Sequence, residues 1–511
     1  MSPPAFSRVL HDSLAAGRFT CTVEVVSPTV EEDLETALGP VLALARYAKG
    51  EPRISAIAVT DRVKSDRDRD PVEVAHRVAL ECGKAPLVHL AGKDRGPRDL
   101  ARSLERTSGL GLRDVLLVTG DRLKDPPSDR RVRYHDSVDA IWQAKRTDPS
   151  LLVAAAVSPF KYREEELLNQ HLKLGKKRRA GADVFMSQIG FDMEKARELL
   201  RITRDRGERV PVVAGVLFLT ALRGRYLRKV GIPGIVITDD LQDKLEEEAR
   251  EPDRGQDAAF RRLALQIVGL RHLGYAGVQV SGLVAPERIG RLLDLADRLL
   301  EALPTPEAWA PAWGRALAFA DGRPVTTAPP GGLYLFGSDA VRAGTPAPAA
   351  AGAGEYLRFR ILDVVDRVFF ERGAPGAAVL APLMRLGAGH AALGRLLIRA
   401  ERAVKAPLVG CESCGFCRLP YTAYVCPETC PKGLANGPCG GTREGLCEFG
   451  DRECVHDRKY RLLKRVGRLH ELEDILIPPV PDHTRGTCSW SNHFARDAGP
   501  LPLDLRRERR G

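Results

Sequence analysis

Eight cysteines lie close together near the C-terminal end of the chain. Of the eleven cysteines in the sequence, these are Cys411, Cys414, Cys417, Cys426, Cys430, Cys439, Cys447 and Cys454. Thiols gathered this densely either pair as disulfides or bind a metal ion or an iron–sulfur cluster. The first residues contain no apolar stretch typical of a secretory signal, so we expect a cytoplasmic protein with reduced thiols. This expectation favours metal ligation over disulfides.

The spacing of these thiols is compatible with two kinds of centre. The first three follow a C-x2-C-x2-C pattern, and Cys426 is followed by Pro427. This arrangement resembles the ligand spacing of ferredoxin-type iron–sulfur clusters, although the gap before Cys426 is longer. Zinc also accepts four thiolates and often uses C-x2-C pairs. Eight thiols can supply two four-ligand sites, and their spacing does not decide between iron and zinc.

The composition indicates a large protein without a membrane span. The chain has 511 residues, of which 44% are hydrophobic, so it is too long for one ordinary domain and can bury a large core. It contains no run of eighteen apolar residues, so no membrane-spanning helix is predicted. The net charge of +11 comes partly from basic residues near the C-terminal end. We interpret it as a solvated basic surface rather than a nucleic-acid site.

Residues 19–300 alternate between short apolar runs and amphipathic helical stretches. The eight runs rich in β-branched residues are Phe19–Val26, Ile54–Thr60, Pro86–Leu90, Asp114–Val118, Leu151–Val157, Asp183–Gln188, Val210–Val216 and Ala276–Ser281. Eight strands alternating with helices over about 280 residues predict an α/β fold, the (β/α)8 TIM barrel. A doubly wound open sheet is the alternative, but no G-x-G-x-x-G follows the first predicted strand.

Polar residues occur at the carboxyl ends of several predicted strands, where TIM-barrel enzymes place their active sites. Thr60, His89, Asp121 and Gln188 are associated with the second, third, fourth and sixth strands. Glu24 differs from them because it lies inside the apolar first strand. A carboxyl group is costly to bury unless it is paired or used. Burial would raise its pKa, so we expect Glu24 to serve as a general acid.

Several motifs surround these strands: F-T-C-T-V-E-V-V-S-P, A-V-T-D, P-L-V-H-L, V-L-L-V-T-G-D and L-G-K-K-R-R-A-G-A-D-V-F-M-S-Q-I-G-F-D. Together they resemble the motifs of methylenetetrahydrofolate reductase. Their order and spacing match the family across roughly residues 5 to 300. The resemblance implies a barrel that binds a flavin at the strand ends and reduces 5,10-methylenetetrahydrofolate to 5-methyltetrahydrofolate.

The resemblance also implies roles for individual residues. Glu24 would be the general acid that assists opening of the folate's five-membered ring. Asp121 would lie near the flavin and the pterin, and Gln188 would hydrogen-bond the pterin. The residues that would bind the flavin are Thr60, His89, Gly120, Asp121, Tyr134, Gln170 and Lys177, with Lys177 toward its phosphate.

The chain departs from the family pattern at three places. Thr119 stands where an arginine commonly precedes the Gly-Asp of the fourth strand. The arginine that contacts substrate after the last strand has no clear counterpart in V-S-G-L-V-A-P-E-R, where Arg288 is the nearest. The loop after the fifth strand reads V-S-P-F-K-Y, where the family pattern has an aromatic residue earlier. These departures leave open the choice between FAD and FMN and the preference for a pyridine nucleotide.

The sequence predicts three consecutive parts. Residues 1–303 form the barrel, and residues 304–354 form a partly flexible connector rich in Pro, Ala and Gly. Residues 355–511 form a helical, cysteine-rich metal or iron–sulfur domain. The charged segment 239–253 is predicted to be a solvated helix before the last strand of the barrel.

The cysteine-rich part has a resemblance of its own. C-E-S-C-G-F-C-R-L-P, V-C-P-E-T-C-P-K, N-G-P-C-G-G-T and G-L-C-E-F resemble the C-terminal domain fused to, or partnered with, some methylenetetrahydrofolate reductases. In acetogens this partner is a separate protein with iron–sulfur and zinc centres. All eight clustered cysteines are therefore predicted metal ligands. We expect His456 at the surface, Cys488 as a lone thiol, and Cys21 and Cys82 in the barrel core.

Three functions are compatible with the sequence. We favour a flavin-dependent reductase, whose cysteine-rich domain either receives electrons from a ferredoxin-like donor or is structural and leaves NAD(P)H as the donor. The alternative is folate-dependent methyl transfer to a corrinoid protein without flavin chemistry. A zinc module with a basic tail for nucleic acid ranks last, because the basic patch has no interleaved aromatic residues. The sequence does not decide between a homo-oligomer and a complex with an electron-transfer partner.

Overall fold

The computed structural model describes residues 6–207, 209–336, 349–371, 373–494 and 500–507, which form two compact units. The first unit comprises the described residues within 1–129, 140–163 and 181–346. The second comprises those within 130–139, 164–180 and 347–511. Two short segments from the barrel part of the sequence therefore belong with the C-terminal domain.

The first unit contains a closed (β/α)8 barrel. Its strands are β1 (Thr20–Val25), β2 (Ile54–Val59), β3 (Leu87–Ala91), β4 (Asp114–Val118), β5 (Leu152–Val157), β6 (Val184–Ser187), β7 (Val212–Leu217) and β8 (Gly277–Ser281). Neighbours pair in parallel and in chain order, and β8 pairs with β1 to close the barrel. Each strand coincides, within one or two residues, with a predicted apolar run. The predicted barrel is confirmed.

Helices follow the strands in the order that the barrel requires. They are α1 (Val9–Ala15), α2 (Leu34–Gly50), α3 (Pro71–Cys82), α4 (Pro97–Gly109), α5 (Ser137–Thr147), α6 (Glu164–Ala180), α7 (Met193–Asp205), α8 (Ala221–Val230), α9 (Asp239–Glu248), α10 (Gln256–Leu273), α11 (Pro286–Ala302) and α12 (Pro306–Ala316). Asp33, Asp70 and Asp192 cap α2, α3 and α7 by accepting backbone N–H groups. Helix α6 belongs to the second unit.

The barrel closes where a glycine faces a threonine. Thr20 on β1 pairs with Gly277 on β8, and a methyl group at Gly277 would overlap the backbone of Thr20. Inside the barrel, Leu10 of α1 packs with small and apolar strand residues such as Ala58 and Ala154. The strand ends opposite this packed interior are free to present polar side chains.

Residues 304–336, predicted to begin the connector, pack against the barrel instead. Trp309 of α12 is buried, and its indole N–H donates to the carbonyl of Leu265 over 2.7 Å. Further along the chain, Tyr334 donates to Asp192, and the Lys195 ammonium lies 4.7 Å from the centre of its ring. Residues 337–348 of the predicted connector lie outside the described residues.

The second unit is helical apart from its cysteine-rich loops. With α6 it contains α13 (Ala353–Phe369), α14 (Pro375–Gly389), α15 (Ala391–Val409), α16 (Val455–Arg465), α17 (Glu471–Asp474), α18 (Ser489–Phe494), and the short strands β9 (Ile475–Leu476) and β10 (Leu503–Asp504). Its core gathers Phe359, Tyr424 and Leu462. Helix α6 packs against α16 and α17, and Gly175 leaves room there for the carboxylate of Glu473.

Within the part of the chain that the structure describes, no helix is long and apolar enough to cross a membrane.

Candidate functional site

Glu24 extends from β1 at the mouth of the barrel. The side-chain amide of Gln279, on β8, donates to its Oε2 over 2.8 Å. Burial raises the pKa of Glu24, and the hydrogen bond from Gln279 and the nearby hydroxyl of Ser281 only partly offset this rise. Part of the side chain is still accessible. The carboxyl group therefore keeps its proton to a higher pH than an exposed glutamate does, and it can still reach a ligand.

Three polar side-chain atoms on or just after strands β2, β3 and β5 are buried without a hydrogen-bond partner. His89 lies on β3 near Gln279, and burial lowers its pKa to about 4, so its imidazole is neutral near pH 7. The Nε2 of His89 has no hydrogen-bond partner, and the hydroxyls of Thr60 and Ser158 lack one too. Thr60 and Ser158 directly follow β2 and β5. Because buried polar atoms without partners are costly, this pattern indicates a polar ligand at the barrel mouth.

Gly120 and Asp121 follow β4 and face a buried lysine. Gly120 has a φ of 84°, and a methyl group there would lie 2.7 Å from Cγ of Lys93. The Lys93 ammonium donates to the carbonyl of Arg62 over 2.8 Å. Burial lowers the pKa of Lys93, and the carboxylates of Asp121 and Asp66 oppose this effect. The sequence did not lead us to Lys93 as a candidate site residue, although its position two residues after β3 could have indicated it.

Gln188 follows β6, and its amide is held by the backbone. Its Nε2 donates to the carbonyl of Pro233 over 2.8 Å, and its Oε1 accepts the N–H of Ile189 over 2.9 Å. An amide nitrogen carries a second hydrogen and an amide oxygen a second lone pair. Gln188 is therefore fixed in orientation, with one donor hydrogen and one lone pair left over; its role toward a pterin stays a prediction.

The other three predicted flavin residues lie in the second unit. Tyr134 packs against the core of that unit, with the Lys432 ammonium 5.0 Å from the centre of its ring. Gln170 is buried on α6, and its Nε2 has no hydrogen-bond partner. Burial and the charge of Lys173 lower the pKa of Lys177 to about 7. Their role toward a flavin stays a prediction.

The eight clustered cysteines separate into two groups of four. The first group, Cys411, Cys414, Cys417 and Cys426, lines one cavity. The second group is Cys430, Cys439, Cys447 and Cys454, in which the other three thiols all interact electrostatically with Cys430. Burial raises the pKa of Cys426 and that of Cys439 to about 12. Without metal, Cys426 and Cys439 are thus protonated at neutral pH, and metal binding to them would release protons.

The spacing of the side chains does not define a site for one metal ion. Among the described residues, no three His, Cys, Asp or Glu side chains lie close enough together to hold such an ion. Around zinc, four thiolates approach one another to about 3.8 Å, because each Zn–S bond is about 2.3 Å long. In the part of the chain that the structure describes, the thiols of neither group form such an arrangement. Their chemistry suits thiolate-binding metals, and their spacing leaves the kind of centre undecided.

Cations lie next to both groups of cysteines. Lys405, which also pairs with a carboxylate, donates to the sulfur of Cys417 over 3.6 Å. Lys459 is almost fully buried, donates to the carbonyl of Ala435 over 3.1 Å, and interacts electrostatically with Cys430 and Cys454. Lys405 has a carboxylate partner, whereas Lys459 has none among the described residues. Metal-bound thiolates would supply negative charge beside Lys459.

Glu428, between the two groups in sequence, is enclosed by arginines. Its carboxylate lies 2.5 Å from Arg418, 3.1 Å from both Arg133 and Arg485, and 3.9 Å from Arg131. Burial alone would raise the pKa of Glu428, but these positive charges outweigh it and hold the pKa below its usual range. Several guanidinium groups around one carboxylate leave a net positive charge beside the cysteines.

His456 is buried rather than exposed. Only 2% of the residue is accessible, its carbonyl accepts from Asn169 over 3.1 Å, and its Nε2 has no hydrogen-bond partner. The prediction of a surface histidine is wrong, because α6 covers this face of α16. Cys21 and Cys82 are buried in the first unit, as expected, and Cys488 is buried in a small apolar cluster of the second.

The closed barrel, with a protonatable carboxyl group and unpartnered polar atoms at its mouth, has the architecture of a TIM-barrel enzyme. The family described as Methylenetetrahydrofolate reductase matches residues 9–280. A second family, described as Methylene-tetrahydrofolate reductase C terminal, matches residues 390–482. Since the first match spans more than half of the chain, the protein belongs to the methylenetetrahydrofolate reductase family. This membership places it in folate one-carbon chemistry.

Two solved structures are similar at low identity. The first is described as an uncharacterized protein from Clostridium thermocellum that binds two copies of 5-methyl-5,6,7,8-tetrahydrofolic acid. It is 15% identical, and the match covers 57% of this chain and 98% of that chain with a TM-score of 0.44. The second is 2,3-dimethylmalate lyase, a PEP mutase/isocitrate lyase superfamily member, at 13% identity, 59% and 90% coverage and a TM-score of 0.33. Both likenesses are too distant to carry an inference about ligands.

Replacement of Glu428 by glutamine should destabilise the second unit by about 3–5 kcal/mol, because buried guanidinium groups lose their carboxylate. The lowered pKa of Glu428 means that its contribution is present above the pKa of the unfolded carboxyl group. That contribution disappears as the pH falls through the lower pKa of the folded state. Urea unfolding should therefore show a wild-type to E428Q difference that shrinks below about pH 4.

Glu444→Gln provides the control for this experiment. Among the described residues, Glu444 pairs only with Arg443, and both are exposed, so its replacement should change the stability by no more than about 0.5 kcal/mol. Equal stability of the wild type and E428Q, or a difference that does not change with pH, would contradict the assigned role of Glu428.

Proposed function

We propose that the protein reduces 5,10-methylenetetrahydrofolate to 5-methyltetrahydrofolate with the help of a bound flavin. The observation that carries this proposal is Glu24, a carboxyl group at the barrel mouth whose pKa is raised by burial. Opening the five-membered ring of the substrate requires a proton donor near neutral pH. Membership of the reductase family supplies the class of reaction in which such a donor is needed.

The residues at the barrel mouth suit a flavin. The unpartnered atoms of Thr60, His89 and Ser158 offer hydrogen bonds to the polar edge of a ring system. Gly120 has no side chain to obstruct a ligand that lies against the end of β4. A bound flavin, either FAD or FMN, would in its reduced form supply the hydride for the methylene carbon. Asp121 would set the charge near that ring system together with Lys93.

Glu24 holds the proton that the reaction consumes. Its acid form donates this proton to the folate nitrogen that separates from the methylene carbon as the ring opens. Gln279 keeps the carboxyl group in one orientation through its 2.8 Å hydrogen bond. His89 is neutral and adds no positive charge that would lower the pKa of Glu24. Burial thus favours the protonated form of Glu24 relative to an exposed carboxyl group.

We also propose that the eight cysteines bind metal as two four-thiolate sites, divided as the two groups described above. Thiolate ligation would balance the positive charge of Lys459 and of the arginines around Glu428. With iron–sulfur clusters bound, the domain would accept electrons from a ferredoxin-like donor. With zinc bound, the domain would be structural and NAD(P)H would be the donor.

The alternative function is methyl transfer from 5-methyltetrahydrofolate to a corrinoid protein. It uses the same folate and a barrel of the same class, but it needs neither a flavin nor the redox step. Bound flavin that responds to folate distinguishes the two functions.

Replacement of Glu24 by glutamine should lower the turnover of 5,10-methylenetetrahydrofolate by about 10²- to 10⁴-fold, the usual contribution of general acid catalysis. Turnover is measured as 5-methyltetrahydrofolate formed with excess reduced viologen, and flavin content is measured in parallel. The wild-type rate should fall as the pH rises through the raised pKa of Glu24, because the acid form is lost. Retained flavin binding shows that the variant is folded.

Glu73→Gln is the matched control, because Glu73 is an exposed carboxylate on α3 of the same unit. It should turn over like the wild type. A Glu24→Gln variant that retains more than half of the wild-type turnover would show that another group delivers the proton.

The division of the cysteines is tested by single substitutions and metal analysis. Cys414→Ser should remove the metal of the first group and leave that of the second, and Cys439→Ser should do the reverse. Cys488→Ala, outside both groups, should keep the wild-type content. Iron, zinc and acid-labile sulfide are measured per chain after purification without oxygen. Loss of the same metal fraction in the Cys414 and Cys439 variants would contradict two independent groups.

A further inference from the structure

Arg223, on α8, directs its guanidinium group to the ends of two barrel strands. It donates to the carbonyl of Phe218, the residue after β7. On the other side it lies over Gly282, the residue after β8, where a methyl group would overlap the guanidinium. The cation therefore sits at the carboxyl ends of β7 and β8, on the face where TIM barrels bind their substrates.

This guanidinium has no carboxylate partner among the described residues. The two other arginines on the same helix do have one, since Arg225 pairs with Glu246 and Arg228 pairs with Asp239. Burial lowers the pKa of Arg223, and the neighbouring charge of Arg288 lowers it further. A half-buried guanidinium next to a second cation is a site for an anion.

Arg288 is less available than Arg223. Its guanidinium donates to Oε1 of Gln256 over 2.6 Å and lies 4.8 Å from the centre of the Phe218 ring. The sequence pointed to Arg288 as the nearest arginine after the last strand. In the structure, the arginine beside the end of β8 is Arg223 of α8. Its guanidinium fits there because Gly282 has no side chain.

We propose that Arg223 binds a carboxylate of the glutamyl tail of the folate substrate. A guanidinium fork binds a carboxylate through two parallel hydrogen bonds, and only one acceptor, a backbone carbonyl, engages Arg223 in the structure. Gln279 and Ser281 of β8 flank Glu24, and Gly282 follows them directly. Strand β8 thus runs from the proton donor, Glu24, to the guanidinium of Arg223. A single folate would place its pterin near the first and its glutamyl tail near the second. The inference rests on the proposed folate reduction.

The test measures binding to the full chain by titration calorimetry with three probes. These are 5-methyltetrahydrofolate, 6-methyltetrahydropterin, which lacks the tail, and N-(4-aminobenzoyl)-L-glutamate, which is the tail alone. Arg223→Gln should weaken binding of 5-methyltetrahydrofolate about 10- to 100-fold, the usual effect of losing a charge-assisted pair. It should abolish detectable binding of the tail and change binding of the pterin less than twofold. Arg223→Lys should lie in between, since it keeps the charge but not the fork.

Arg228→Gln is the control on the same helix and should bind all three probes like the wild type. Thermal unfolding of each variant shows whether it is folded, and Arg223→Lys keeps the test valid if Arg223→Gln is not. Equal weakening of the pterin and of the full folate would assign Arg223 a structural role and overturn the inference. Unchanged binding of 5-methyltetrahydrofolate by Arg223→Gln would overturn it while leaving the reductase proposal intact. A wild type that binds neither folate nor the tail would overturn both.

Discussion

The pairing of β1 with β8 controls the chemistry of the barrel mouth. It places Thr22 opposite Gln279, so that the Gln279 amide reaches the carboxyl group of Glu24 further along β1. The two strands approach closely because Gly277 has no side chain to meet Thr20. The same strand, β8, ends beside the guanidinium of Arg223. Barrel closure thus positions the proton donor and, beyond it, the cation proposed to bind the substrate tail.

Charge balance is the corresponding constraint in the second unit. Burial keeps Cys426 and Cys439 protonated in the absence of metal, and the arginines around Glu428 add positive charge nearby, while burial lowers the pKa of Lys459 to about 7. Such an arrangement is unfavourable unless an anionic group completes it. Ligation that converts thiols to thiolates would provide the negative charge and couple metal binding to proton release. Folding of this unit and loading of its cysteines are therefore expected to depend on each other.

The barrel was predictable from sequence because its strands are buried on both faces, which leaves continuous apolar runs separated by amphipathic helices. Glu24 could be found for the same reason, since a carboxyl group inside such a run is conspicuous. Arg223 could not be found, because nothing local distinguishes it from Arg225 and Arg228. Its direction depends on an absent side chain at Gly282, which is distant in sequence. Gln279 was missed although it lies in an apolar strand, as Glu24 does.

The second unit was harder to predict because its contacts join distant segments. His456 was expected at the surface, but α6 packs over that face. The spacing of the cysteines suggested two sites without showing their membership, which depends on how the loops between Cys426 and Cys454 fold. The packing of residues 304–336 was hidden by their Pro- and Ala-rich composition, although Trp309 and Tyr334 anchor them.

The most direct test of the account is the absorption spectrum of the full chain, purified without oxygen and titrated with 5-methyltetrahydrofolate. The account predicts flavin bands that bleach as the folate is oxidised to the methylene form, because the catalysed step is reversible. The same sample should contain iron with acid-labile sulfide, or zinc, at the cysteines. A chain that binds no flavin after FAD or FMN is added, yet transfers the methyl group of 5-methyltetrahydrofolate to a corrinoid, would contradict the reductase and establish the alternative.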